Sequence, residues 1–284
     1  MMRISGGARV AGVLGRPIAH SLSPLIHNAW IEAAGLDAVY VPLSPAPGGL
    51  KGLLEACRGG LVAGFNVTVP FKEEALAAAD TVSERARRAG AANLVVFADG
   101  SIIADSTDGV GILAALAEQA PGLDVQRTSA VVVGAGGAGR SAAAALLEAG
   151  ASEVRLVNRT RERATKVASA LGDRVGVFGW EAMAEALDGA GVVVNATTLG
   201  LAGGEPLSLD LAPAAADAVV LDMVYRPLET PLLAAAAASG RRPVDGLAML
   251  IGQARPSFEA LFGLPAPTSV DVRALALAML GGTA

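Results

Sequence analysis

The sequence predicts an α/β protein of two domains, the first folded around a mainly parallel sheet and the second around a doubly wound one. Three observations predict it. Strand-like and helix-like stretches alternate along the chain. A glycine-rich strand-to-helix turn opens only at Gly134, which leaves room ahead of it for a complete first domain. At 284 residues the chain exceeds the usual size of one domain and lets each of two bury a proper core.

The first domain begins in βαβαβ order. Arg9-Val10-Ala11-Gly12-Val13-Leu14 reads as a strand, and Ser23-Pro24 as the start of a helix, with serine expected at the N-cap and proline pre-set for the first turn. Val39 to Leu43 is a second strand, Leu50 to Cys57 a helix ended by Gly59-Gly60, and Val62 to Val67 a third strand. This order implies a mainly parallel sheet whose ligands lie outside the carboxyl ends of the strands, here Gly15 to Ser23 and Asn66 to Lys72. A helical stretch is expected through Arg88, then a hairpin of Leu94-Val95-Val96-Phe97 and Ser101-Ile102-Ile103 around Asp99-Gly100. A helix from about Asp108 to Gln119, ended by Pro121-Gly122, leads into the second domain.

There Ala130-Val131-Val132-Val133 reads as a buried strand and Arg140 to Glu148 as the helix that packs back on it. Between them, Gly134-Ala135-Gly136-Gly137-Ala138-Gly139 forms a dinucleotide-binding fingerprint. Gly134 permits the tight turn, Gly136 lets the backbone approach a pyrophosphate at the helix N-terminus, and Gly139 allows close packing of helix on strand. The next strand, Val154 to Val157, ends about 20 residues beyond the glycines, where such folds read the adenosine ribose. The chain offers Asn158-Arg159-Thr160 with Arg163 one turn on: guanidinium groups suited to a 2′-phosphate, and no acid to accept from a 2′-hydroxyl. The cofactor expected is NADP. Val192 to Asn195, Val219 to Asp222 and a short stretch near Pro243-Val244 complete the strands of a Rossmann, doubly wound domain. The helix-forming run Ala248 to Leu261 follows, and the C-terminal helices are expected to return to the first domain. The expected division is therefore 1–107 with 247–284 for the substrate, and 108–246 for NADP.

Composition excludes several classes. Net charge is −5 with a pI near 5.2, and no Lys/Arg block occurs, so nothing attracts nucleic acid or an anionic membrane. No apolar run reaches the roughly 18 residues of a membrane span, and Met1-Met2-Arg3-Ile4-Ser5-Gly6-Gly7 lacks a signal-peptide core, which predicts a cytoplasmic protein. Cys57 is the sole cysteine and His20 and His27 the only histidines, which rules against an intrachain disulfide and leaves no expected metal site. Both histidines are read as structural, buttressing the loop that carries the serines.

Polar residues gather where the first domain should hold its ligand: Ser21 with Ser23, Asn66 with Thr68 and Lys72, and Asn93 with Asp108. Hydroxyls, amides, one ammonium and one carboxylate suit a polyhydroxylated anion. Hydride transfer also needs a group that delivers or removes the alcohol proton, and Lys72 and Asp108 are the placed candidates, a structural ion pair being the alternative.

These residues fall in motifs. Gly15-Arg16-Pro17-Ile18-Ala19-His20-Ser21-Leu22-Ser23-Pro24 with His27-Asn28, Gly64-Phe65-Asn66-Val67-Thr68-Val69-Pro70-Phe71-Lys72, Ser106-Thr107-Asp108-Gly109, the glycine loop, Asn158-Arg159-Thr160, Asn195-Ala196-Thr197, and Asp245-Gly246-Leu247-Ala248-Met249-Leu250 with Gln253 follow one another over nearly the whole chain. In that order and spacing the chain resembles the shikimate dehydrogenase family. The resemblance implies NADPH-dependent, reversible reduction of 3-dehydroshikimate to shikimate, in the chorismate route to aromatic amino acids. By position it implies that Ser21 and Ser23 hold the substrate carboxylate. Thr68, Lys72, Asn93, Asp108 and Gln253 surround the ring hydroxyls, Lys72 and Asp108 form the acid/base pair, and Tyr225 touches the substrate from the second domain. For the cofactor it implies Gly134, Gly136, Gly137 and Ala138 at the pyrophosphate, and Asn158, Arg159, Thr160 and Arg163 at the 2′-phosphate. Thr197, Met223, Gly246 and Met249 then lie near the ribose or nicotinamide. The partners implied are small molecules, and the assembly a monomer or homodimer. Two departures stand out: the family usually has Asn-Thr-Asp where this chain has Ser106-Thr107-Asp108, and Asn-Thr where it has Asn93-Leu94. They touch local geometry and affinity rather than the reaction. Two other functions compete: a quinate/shikimate dehydrogenase using NAD(P), against which the serine pair and the arginines argue, and a non-catalytic NADPH-binding regulator, against which Lys72 and Asp108 argue.

Overall fold

The computed structural model describes residues 4–281. The chain forms two compact units that divide after Thr107 and again between Gly252 and Gln253.

The first unit contains β1 (Arg9–Leu14), α1 (Ser23–Ala33), β2 (Ala38–Leu43), α2 (Leu50–Ala56), β3 (Val62–Val67), α3 (Lys72–Ala77), β4 (Thr81–Val82), α4 (Glu84–Ala89), β5 (Leu94–Ala98) and β6 (Ser101–Asp105). Its six-stranded sheet runs β2-β1-β3-β5-β6-β4. β1 pairs in parallel with β2 and β3, and β4 with β6, whereas β5 runs antiparallel to both β3 and β6. Because strand residues alternate in facing, Phe65 and Val67 join Leu14, Leu50, Leu54, Phe71 and Ile102 in one apolar core, and Asn66 between them points the other way. Each large apolar side chain buried there contributes roughly 1.5–3 kcal/mol.

Two expectations are corrected in this unit. The helical stretch through Arg88 is interrupted: the β-branched pair Thr81-Val82 joins β6 instead, and the Asp80 carboxylate accepts from the Ile102 N–H at 2.8 Å. Ser83 Oγ then caps α4 by accepting from the Ala86 N–H at 3.1 Å, and Gly90 ends it at φ 59°. Ser23 is likewise not the N-cap of α1. Leu22 holds that position, Pro24 lies in the first turn, and the Ser21 hydroxyl accepts from the Ser23 N–H at 3.3 Å. The hairpin is as read, with Asp99 and Gly100 both at positive φ (50° and 74°), the backbone of a type I′ turn.

The second unit contains α5 (Asp108–Gln119), β7 (Ser129–Val133), α6 (Gly137–Glu148), β8 (Glu153–Val157), α7 (Arg161–Leu171), β9 (Val175–Phe178), α8 (Met183–Leu187), β10 (Val192–Asn195), β11 (Val219–Asp222), α9 (Pro231–Ala238) and β12 (Arg242–Val244). Its six strands lie in the order β12-β11-β10-β7-β8-β9, all parallel. Chain order reverses beside β7, the switch point of a doubly wound sheet. β10 and β11 are buried throughout, as central strands covered on both faces must be. β9 and α9 are additions to the sequence reading. β9 is a half-buried edge strand broken by Gly176, and α9 is an alanine run with no polar stripe to mark its face.

α10 (Gly246–Phe262) begins in the second unit and ends in the first, where α11 (Val272–Gly281) follows. The carbonyls of Leu261 and Phe262 at its C-terminus accept from the Arg9 guanidinium at 2.6 and 3.3 Å, a cation where the helix dipole favours one.

Candidate functional site

In the first unit the loops that leave β1 and β3 are laced together. The Thr68 N–H donates to the Leu14 carbonyl (2.8 Å) and the Arg16 N–H to that of Val69 (3.0 Å), and a Cβ at Gly15 would stand 2.5 Å from the Thr68 methyl. Ser21 and Thr68 are half-buried here and Ser23 is buried. Lys72 is the first residue of α3, half-buried behind the buried Phe71, and its carbonyl accepts from the Ala92 N–H at 2.9 Å, which places it next in the chain to Asn93.

Asn93 and Gln253 belong to a buried network. The Thr107 N–H donates to Asn93 Oδ1 at 2.7 Å, so the other end of that amide is the donor, reaching Thr107 Oγ1 (3.0 Å) and Gln253 Oε1 (3.2 Å). Thr107 Oγ1 also lies 3.2 Å from Gln253 Oε1 and 3.1 Å from Ser257 Oγ. With its oxygen engaged twice, Gln253 turns its Nε2 donor away from these partners. Ser257 Oγ donates to the Gln253 carbonyl and accepts from Asn66 Nδ2, whose Oδ1 accepts from the Tyr40 hydroxyl at 2.8 Å. Asn66 is thereby consumed within the fold. Tyr40 and Ser257 were not singled out from the sequence, where no local pattern distinguishes them, and Thr107 was quoted only as part of the Ser106-Thr107-Asp108-Gly109 motif.

His27 is fully buried, its ring stacked on Tyr40 at 4.1 Å and 4° and edge-on to Trp30 at 5.6 Å. Burial lowers its pKa to about 3, so it is neutral. His20 in the loop that carries the serines is half-buried.

In the second unit the glycine turn is built as its spacing requires. Gly134 sits at φ 109°, and a Cβ at Gly139 would fall 2.0 Å from the Gly134 carbonyl oxygen. A Cβ at Gly136 would meet nothing within 4 Å, and Gly137 and Ala138 open the first turn of α6 beside that space. Such a cradle of backbone N–H groups fits a pyrophosphate. Past β8, Arg159, Thr160 and Arg163 are exposed, and the half-buried Asn158 works as a brace. Its Oδ1 accepts from the Ala135 N–H of the glycine turn (3.1 Å) and its Nδ2 donates to the Thr160 carbonyl (2.7 Å).

The loops after β10, β11 and β12 converge. Thr197 Oγ1 donates to Asn195 Oδ1 at 2.7 Å and accepts from the Leu199 N–H at 3.1 Å, and the Met223 N–H donates to the Asn195 carbonyl at 3.1 Å. Gly246 packs on this turn, where a Cβ would stand 2.6 Å from the Met223 carbonyl oxygen. Met223 and Tyr225 are half-buried, while Met249 lies in the unit's apolar core at 8 % exposure. Asp222, which the sequence reading placed only as a strand end, is fully buried among these loops. Among the described residues no cluster of His, Cys, Asp and Glu could hold a metal ion, and no helix is long and apolar enough to cross a membrane.

Comparison with known proteins completes the description. The family model for the shikimate dehydrogenase substrate binding domain matches residues 13–95, and that for shikimate / quinate 5-dehydrogenase matches residues 115–201. The chain is 55% identical over 279 residues to a shikimate dehydrogenase (NADP(+)) of Caulobacter vibrioides (strain NA1000 / CB15N), covering 98% of each. Among solved structures it is similar to shikimate dehydrogenase from Aquifex aeolicus, with a TM-score of 0.85 and 37% identity over 97% of this chain and 99% of that one. It is also similar to shikimate 5-dehydrogenase from Thermus thermophilus in complex with NADP(H) and shikimate, with a TM-score of 0.83 and 38% identity over 95% of this chain and 99% of that one.

Proposed function

The chain belongs to the shikimate dehydrogenase family, and from that premise we propose how its own residues divide the reaction. It is an NADP-dependent oxidoreductase acting on a CH–OH group, interconverting 3-dehydroshikimate and shikimate on the way to chorismate and the aromatic amino acids. The observation that supports the assignment of residues best is the donor set at the carboxyl end of the first unit's sheet. Two serines, Thr68, Lys72 and the amide of Gln253, oriented by Asn93 and Thr107, match a carboxylate and a row of ring hydroxyls.

In this reading the first unit, 1–107 with the C-terminal helices, holds the substrate. Ser21 and Ser23 take the carboxylate, Thr68, Asn93 and Gln253 the hydroxyls, and Tyr225 of the second unit adds a contact. The second unit holds the cofactor. Gly134, Gly136, Gly137 and Ala138 present their backbone to the pyrophosphate, and Arg159, Thr160 and Arg163, with Asn158 as brace, meet the 2′-phosphate. Thr197, Met223, Gly246 and Met249 border the ribose and nicotinamide. NADPH, when bound, supplies the hydride. In reduction, Lys72 with Asp108 gives a proton to the carbonyl oxygen as its carbon accepts the hydride, leaving the alcohol; in oxidation the pair takes that proton back. The chain works in the cytoplasm, as a monomer or homodimer.

The test is spectrophotometric: kcat/KM for shikimate against quinate, each with NADP and with NAD. Shikimate with NADP is expected to lead. Thermal stabilisation by NADPH without shikimate-dependent NADP reduction would instead mark a protein that binds the cofactor and turns nothing over.

A further inference from the structure

One buried carboxylate takes no part in the roles above. Asp222 ends β11, in register with Asn195 at the end of β10, and is fully buried. Its Oδ1 accepts from Asn195 Nδ2 (2.8 Å) and from the Val224 N–H (3.0 Å), and its Oδ2 accepts from Thr230 Oγ1 (2.7 Å). The donors come from three segments: the end of β10, the turn after β11, and the residue that caps α9 by accepting from the Leu233 N–H. Asn195 continues the chain of bonds, its Oδ1 accepting both the N–H (3.0 Å) and the Oγ1 (2.7 Å) of Thr197.

We propose that Asp222 is a positioning residue, whose carboxylate clamps the turns bearing Thr197 and Met223 into one rigid frame against α9. The inference rests on the reading that those two residues border the nicotinamide.

All three donors are neutral, and burial raises the Asp222 carboxyl above its ordinary value, opposed by the bonds from Thr230, Val224 and Asn195. An apolar side chain at the end of Val219-Val220-Leu221 would avoid that penalty but leave the donors of Asn195, Val224 and Thr230 unpaired. What only a carboxylate supplies is acceptance from three converging donors on two oxygens. An asparagine keeps one oxygen acceptor and turns an amide N–H₂ toward the remaining donors.

The test uses the full-length enzyme with Asp222→Leu, Asp222→Asn and Thr230→Val. Four readouts are taken: kcat, the KM for shikimate, the primary isotope effect with shikimate deuterated at the carbon that is oxidised, and the Kd of 2′,5′-ADP, a fragment that lacks both the nicotinamide and the ribose attached to it. Loss of orientation at the reacting ring is expected to lower kcat about 10- to 100-fold in Asp222→Leu and to raise the isotope effect. The shikimate KM and the fragment Kd stay within about twofold, because neither ligand reports on the frame. Asp222→Asn and Thr230→Val fall between that variant and wild type in the same direction, and they carry the test if Asp222→Leu does not fold. Unchanged kcat and isotope effect, or a fragment Kd that worsens in step with kcat, overturns the proposal. A wild-type enzyme that neither oxidises shikimate nor binds the fragment overturns the parent reading, and this one with it.

Discussion

His27→Phe is expected to flatten the acid side of the stability curve. The ring lies against Tyr40 at 4.1 Å and near Trp30 and Phe258, and neither Nδ1 nor Nε2 has a hydrogen-bond partner among the described residues. Burial alone lowers the pKa from 6.5 to about 3. The unfolded chain therefore takes up the proton first: the contribution is complete above pH 6.5 and is lost progressively as pH falls toward 3. Each pH unit below the unfolded value costs about 1.4 kcal/mol, so about 2 kcal/mol of stability is gone near pH 5. Phenylalanine keeps the stacked ring and removes the titration. Any packing cost of its larger ring, about 1–3 kcal/mol, applies equally at both pH values and cancels in the difference. Carboxylates held low by their partners, such as Asp80 beside Arg58 at about 2, are common to both proteins. Urea unfolding near pH 7.5 and near pH 5 gives the comparison: wild type is expected to lose about 2 kcal/mol more than the variant. Parallel losses would refute the claim that His27 is buried without a proton.

Three further outcomes are expected. Lys72→Ala lowers kcat by at least about 10²-fold, the usual cost of a lost general acid/base, and leaves the shikimate KM roughly in place; a kcat near wild type removes Lys72 from the chemistry. Arg159→Ala chiefly raises the KM for NADP and narrows the NADP/NAD preference, so an unchanged preference counts against a 2′-phosphate contact. Gly139→Ala forces a Cβ to 2.0 Å from a backbone carbonyl, which cannot swing aside as a side chain does. A loss of about 1–3 kcal/mol in stability together with weaker NADP binding is expected, and a variant that matches wild type in both thermal unfolding and NADP titration would show that the turn has room.

What the sequence made legible follows the range over which its signals act. The glycine turn, the Asp99-Gly100 hairpin and the apolar runs of β7, β10 and β11 depend on neighbours a few residues apart, and they stand where periodicity and turn chemistry put them. β9 and α9 escaped because an edge strand with a glycine and an unbroken alanine run carry no contrast between faces. The helix expected through Arg88 failed for a tertiary reason: Thr81-Val82 gains more from pairing with β6 than a helix offers β-branched residues. Site residues divide the same way. Motif position singled out Asn93 and Gln253, but their orientation is set by Thr107 and Ser257, the latter 191 residues from Asn66, which it also holds.

A polar residue at the end of an apolar strand therefore carries two meanings until its donors are known. Asn66, Asn158, Asn195 and Asp222 all occupy such places, and each spends its side chain within its own unit. On the reading proposed above, the strand-end amides and the buried carboxylate brace each unit, and neighbouring groups meet the ligands. This order is what a preorganised site requires, since a reacting group a fraction of an ångström out of place loses most of its advantage. Asn66 spends its side chain on Tyr40, Asn93 and Ser257, and Asn158 on Ala135 and Thr160. Substituting either one is accordingly expected to disturb a loop rather than delete a contact.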